Sequence, residues 1–107
     1  MLDYVDVAAA SEIPEGEILG VRIDDEPIVL GNVKGTIHAI GGMCTHEDAL
    51  LEDGELEGQV VRCPLHDSGF NIHTGKAVHL PAVGSVPVYD VKVVDGRVLV
   101  STQPKQS

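Results

Sequence analysis

No stretch of this chain carries a helical apolar period long enough to build on; what recurs is a short apolar alternation cut by turns. The alternation predicts strands over 4–8, 17–23, 28–33, 36–40, 59–62, 70–73, 76–78, 86–94 and 97–100. Turn signals separate them: Pro14-Glu15-Gly16, Asp24-Asp25-Glu26-Pro27, Lys34-Gly35, Thr74-Gly75 and Asp95-Gly96. The last pair is among the strongest short hairpin signals. Gly41-Gly42 breaks the pattern and opens a loop. The polar stretch Ser101 to Ser107 reads as a flexible tail. With no Trp and a single Phe, Phe70, the core has to be aliphatic, and valine dominates it. β-Branched side chains fit a pleated sheet better than a helix. The fold class expected is all-β.

A chain of 107 residues suits one domain, 1–107, with one modest core. No run of 18 or more apolar residues is present to span a membrane. The N-terminus, Met1-Leu2-Asp3-Tyr4, lacks the basic and apolar regions of a signal peptide. The expected location is therefore the reducing cytoplasm, where two cysteines serve a metal or catalysis more often than a disulfide. A formal charge of −10 argues against nucleic acid and anionic membranes as partners and is compatible with basic patches on other proteins.

The chemistry sits between Gly41 and Pro81. Cys44-Thr45-His46 is followed, after sixteen residues, by Cys63-Pro64-Leu65-His66, giving C-x-H-x16-C-x2-H. Both cysteines of the chain belong to this pattern. Thiolate and imidazole are ligands for borderline and soft metals. Pro64 stiffens the second segment by fixing its own φ and restricting Cys63. A mononuclear Cys₂His₂ zinc site accepts the same four donors. Classical zinc fingers, however, order a Cys pair and then a His pair carried on a helix. Here each segment mixes one Cys with one His in β-type surroundings. Zinc in a structural or interaction module stays as an alternative at this point.

At these residues the chain resembles the Rieske ferredoxin family, in particular the small ferredoxins that serve bacterial aromatic-ring-hydroxylating dioxygenases. The resemblance extends to Gly69-Phe70-Asn71-Ile72, Thr74-Gly75-Lys76 and Leu80-Pro81-Ala82, which match the stretches following the second ligand pair in that family. It implies a fold of small stacked antiparallel sheets, with a cluster-binding lobe at about 41–81 inserted into a base formed by both chain ends. It implies one [2Fe–2S] cluster, with Cys44 and Cys63 on one iron and His46 and His66 on the other. Two ferric ions, two sulfides and two thiolates sum to zero charge, whereas four thiolates would give −2. Adding an electron then meets less repulsion, and such centres span about −150 to +300 mV. Ala49 and Leu65 stand where high-potential relatives carry a disulfide. Ser68 keeps one hydroxyl donor toward the cluster, but Phe70 replaces a tyrosine, so the lower half of that range is expected. Asp67 stands where many relatives have glycine, and it reads either as a solvent-facing residue or as a charge that tunes His66.

The implied function is one-electron transfer, not catalysis. The carrier would take electrons from an NAD(P)H-dependent flavin-containing ferredoxin reductase and deliver them to a terminal oxygenase, working as a monomer through transient contacts. The alternative within the fold is the small subunit of an NAD(P)H nitrite reductase. Between the ligand pairs, Glu47, Asp48, Glu52, Asp53, Glu55 and Glu57 form an acidic ribbon with no Lys or Arg before Arg62. Such a ribbon either steers a basic partner or is merely solvated. His38, His73 and His79 lack a paired ligand spacing and read as surface residues.

Overall fold

The computed structural model describes residues 3–43, 50–64, 69–79 and 85–104. Ten strands run in chain order: β1 (Tyr4–Ala9), β2 (Ile18–Ile23), β3 (Glu26–Val33), β4 (Thr36–Gly41), β5 (Glu55–Glu57), β6 (Val60–Arg62), β7 (Gly69–Asn71), β8 (Ala77–His79), β9 (Val88–Val94) and β10 (Arg97–Pro104). Two short 3-10 turns, Ala10–Glu12 and Leu51–Asp53, complete the described elements. The all-β expectation holds, with two antiparallel sheets. A six-stranded sheet, ordered β1-β10-β9-β4-β3-β2, curls into a partly closed barrel. A four-stranded sheet, β5-β6-β7-β8, occupies the stretch of chain between β4 and β9.

Three hairpins of the large sheet turn on two residues. Asp24 and Asp25 (φ 50° and 68°), Lys34 and Gly35 (53° and 91°), and Asp95 and Gly96 (52° and 79°) all adopt left-handed backbone. Paired positive φ values give the turn whose twist matches the flanking strands. The sequence placed a four-residue break over 24–27; the structure needs only Asp24-Asp25, and β3 begins at Glu26. Pro27 is tolerated because it lies beyond the last pair with β4, Ile28↔Gly41, so no ladder bond on that side needs its missing N–H.

β3 and β4 bury both faces, which explains the nearly unbroken apolar run Ile28-Val29-Leu30. Ile28, Leu30, Ile37 and Ala39 point into the barrel with Ile13, Val98 and Val100. Val29 and Ile40 point the other way, into a second core with Leu51, Val61, Cys63, Phe70, Ile72 and Val86. That second core seats the small sheet on the barrel. At its edge the Ile72 side chain fills the space a Cβ on Gly31 would need, so the glycine lets β3 and the small sheet approach closely.

Three expectations need correction. Ser101 to Pro104 is not a frayed tail but the end of β10, flanked by β1 and β9. The polar stretch is held by internal bonds: Ser101 is fully buried, accepts a hydrogen bond from the Asp90 N–H (3.0 Å) and donates to the Gln103 carbonyl (2.8 Å). Residues 105–107 lie outside the described ones. β5 went unseen because Glu-Leu-Glu is too short and polar to register; only Leu56 packs inward. The strand expected over 70–73 stops at Asn71, whose side-chain oxygen accepts from the His73 N–H (2.8 Å) and turns the chain.

Ile28 is 1% exposed at the centre of the barrel. Replacing it by Ala should cost about 2–5 kcal/mol of stability. Denaturant titration checks this, and a loss below about 1 kcal/mol would contradict the packing described.

Candidate metal centre

Of the four residues singled out as ligands, Cys63 lies among the described residues; Cys44, His46 and His66 lie outside them. So do Ala49, Leu65, Asp67, Ser68, Glu47, Asp48 and Leu80 to Ala82. The structure does fix the strand ends that bracket those segments.

Segment 44–49 is bracketed by an antiparallel bridge, Met43↔Leu50, and by a hydrogen bond from the Leu51 N–H to the Gly42 carbonyl (2.7 Å). Segment 65–68 is bracketed by the pair Arg62↔Gly69, and segment 80–84 starts next to the pair Gly69↔His79. Its far end returns at Ser85, bridged to Lys76. Glu55, Arg62, Gly69 and His79 therefore form one row across all four strands of the small sheet. The chain leaving segment 44–49 reaches the same row. After Leu50 it makes the 3-10 turn Leu51–Asp53, passes Gly54 and enters β5 at Glu55. Both halves of the ligand pattern are thus tethered to one end of one sheet.

Cys63 follows β6 directly and is 5% exposed. It is a free thiol, walled by the apolar cluster that includes Leu51, Val61, Phe70 and Val86. No hydrogen bond to Cys63 is found among the described residues. A soft donor at the end of β6, beside the row that tethers the segments, fits a metal-bound thiolate; no further ligand is found among the described residues to complete the set. Phe70 is fully buried in this same cluster.

The acidic ribbon is not uniform. Asp53 and Glu55 are exposed. Glu52 is half-buried, its carboxylate lying over Gly20 of β2. Glu57 faces Arg62 at 3.7 Å. Sequence reasoning treated His38 and His73 as unrelated, but their rings meet edge to face with centroids 4.1 Å apart. They line a shallow groove of about 190 Å³ with Thr36, Tyr89 and Asp90. Nothing in their spacing, on β4 and in the turn after β7, could have revealed it.

Comparison with known proteins bears on the nature of the centre. The chain matches the Rieske [2Fe-2S] domain over residues 3–90. It is 38% identical, over 94% of its length and 97% of the relative's, to the ferredoxin component of the naphthalene 1,2-dioxygenase/salicylate 5-hydroxylase systems of Ralstonia sp. Its fold superposes with a TM-score of 0.91 and 33% identity on a chain from the complex of reduced oxygenase and oxidized ferredoxin in carbazole 1,9a-dioxygenase, covering 97% of each chain. A putative NADH-dependent nitrite reductase small subunit from Mycobacterium tuberculosis is similar at 27% identity and a TM-score of 0.82, over 94% of this chain.

The burial of Cys63 has a chemical consequence. In the native protein its thiol should alkylate with iodoacetamide at least about tenfold more slowly than in urea, since reactivity follows access and thiolate character. Peptide mapping by mass spectrometry reads the ratio; equal rates would refute the placement.

Proposed function

The chain belongs to the Rieske [2Fe-2S] family, and we propose that it is the electron-carrying ferredoxin component of an aromatic-ring-hydroxylating dioxygenase system. The observation that carries the reading is the match to named ferredoxin components across almost the whole of both chains. The chain is thus an electron-transfer component, and its physiological partners are a flavin-containing reductase and a terminal oxygenase. The family supplies the [2Fe–2S] cluster in place of the zinc alternative. Cys44 and Cys63 would hold one iron, His46 and His66 the other. When bound, the cluster supplies one-electron uptake and release.

The chain's own residues set the conditions for that exchange. Cys63 enters from a strand end, so its position follows the ladder rather than a free loop. Leu51, Val61, Phe70 and Val86 keep water from its inner side. An apolar wall penalises added negative charge, and the Phe70 ring offers no hydroxyl to offset it; both favour a potential in the lower part of the Rieske range. Exposed Asp53 and Glu55, close in the chain to the row that tethers the site, place negative charge where a basic partner would approach. No described helix is long and apolar enough to cross a membrane, and a cytoplasmic location fits a carrier whose two cysteines serve a metal rather than a disulfide. The nitrite reductase reading rests on a lower identity.

Anaerobically purified protein should contain two irons and two acid-labile sulfides per chain. Dithionite reduction should give the rhombic EPR signal with low average g that His-ligated clusters show. Cys63→Ser should abolish that signal; a variant that keeps it unchanged would remove Cys63 from the ligand set, and zinc in place of iron would overturn the carrier function. Replacing Asp53 by Asn and Glu55 by Gln should slow reduction of the oxygenase several-fold at low salt, about 3–10-fold for two charges, and much less at high salt. Stopped-flow rates that keep the wild-type salt dependence would remove the steering role.

A further inference from the structure

Gly54 sits between the 3-10 turn Leu51–Asp53 and β5, with φ −93° and ψ −148°. That backbone is not left-handed, so the positive φ that calls for glycine in the turns is not the reason for it here. Gly16, Gly35, Gly58 and Gly96 differ: each has positive φ and open space where a Cβ would go. What Gly54 lacks is room. A Cβ on it would overlap the Arg62 carbonyl oxygen, lie 3.0 Å from the Arg62 carbonyl carbon and come within 3.3 Å of the Leu51 oxygen. All three are backbone atoms, so no rotamer change relieves the conflict.

The Arg62 carbonyl is the acyl half of the peptide that carries Cys63. Gly54 therefore rests directly on the Arg62–Cys63 peptide. On its other side the contacts lead back to the first ligand segment without a flexible side chain between them. The Gly54 N–H donates to the Leu51 carbonyl (3.0 Å), and the Leu51 N–H donates to the Gly42 carbonyl (2.7 Å). Met43 pairs with Leu50, closing the stem of segment 44–49. Leu51 itself is fully buried against the same core as Cys63.

We infer that Gly54 is a positioning residue for the cluster: by lacking a side chain it lets the stem of the Cys44–His46 segment bear on the Arg62–Cys63 peptide, and so sets the separation of the two ligand-bearing segments. The inference rests on the reading that both segments serve one cluster. Two thiolates on one iron convert a relative displacement of their segments into a change of ligand angle. The electronic structure of the site then responds, even where the rest of the fold does not.

The test compares Gly54→Ala with Gly58→Ala in the holoprotein. Gly58 lies in the β5–β6 turn with φ +63°, so alanine there strains the backbone but meets nothing. Gly54→Ala should shift the EPR g values and the midpoint potential; Gly58→Ala should lower the thermal midpoint yet leave both at wild type. Wild-type g values and potential in Gly54→Ala would overturn the inference, and so would equal shifts in both variants. Should Gly54→Ala fail to fold, Leu51→Ala loosens the same stem by removing atoms rather than adding one. Unchanged g values and potential in folded Leu51→Ala would likewise overturn it. A wild-type protein without a [2Fe–2S] signal is a different failure, since it removes the cluster reading itself.

Discussion

The structure depends on a single pair of strands whose central residues are covered on both faces. β3 and β4 send Ile28, Leu30, Ile37 and Ala39 into the barrel, and Val29 and Ile40 into the core beneath the small sheet. Sheet surfaces of this kind stabilise by area removed from water, and here one hairpin contributes to two cores at once. Two buried aromatics, Phe70 and Tyr89, and aliphatic side chains of middling size suffice because the same backbone is used on both faces. The small sheet has no comparable second layer of its own; its inner face is completed by β3 and β4.

This arrangement explains how a site can be built from segments far apart in the chain. The row Glu55-Arg62-Gly69-His79 gives three chain segments a common edge, and Leu51, just after the first of them, is buried in the same core as Cys63. Exact placement falls to backbone contacts, which avoid the rotamer entropy that fixing long side chains would cost. The acids around the site divide accordingly. Glu52 is committed to packing over Gly20 and Glu57 to Arg62, leaving Asp53 and Glu55 for solvent and partners.

Much of this was legible in the residues. The two-residue turns at Lys34-Gly35 and Asp95-Gly96 announce themselves, because few residue pairs accept two positive φ values. Asp24-Asp25 was harder: the following Glu-Pro looks like more turn, and only the ladder shows that Pro27 stands past the end of β4. β5 and the two 3-10 turns are too short for any period to show. Ser101 to Pro104 misled because polarity signals exposure only when the polar groups lack internal partners, and Ser101 has two. The Cys and His spacing identified the family; Cys63 is where the structure adds burial and surroundings, while Cys44, His46 and His66 stand on the motif. The contact of Gly54 with Arg62, and the meeting of His38 with His73, depend on how elements stack, which no local pattern encodes.

The topology also divides the pairings by their separation in sequence. The hairpins of β2 to β8 join neighbours in sequence, whereas β1 closes against β10, with Tyr4 bonded to Asp90 across 86 residues and Asp6 to Arg97 across 91. Contacts of such separation carry the entropy of closing a long loop. The small sheet beside Cys63 is made of local pairings, whereas Val86 of its hydrophobic wall and the strand that closes the barrel both come from distant chain. The row Glu55-Arg62-Gly69-His79 that anchors the site is paired without any residue of β1 or β10, so the frame of the site and the seam of the barrel share no ladder.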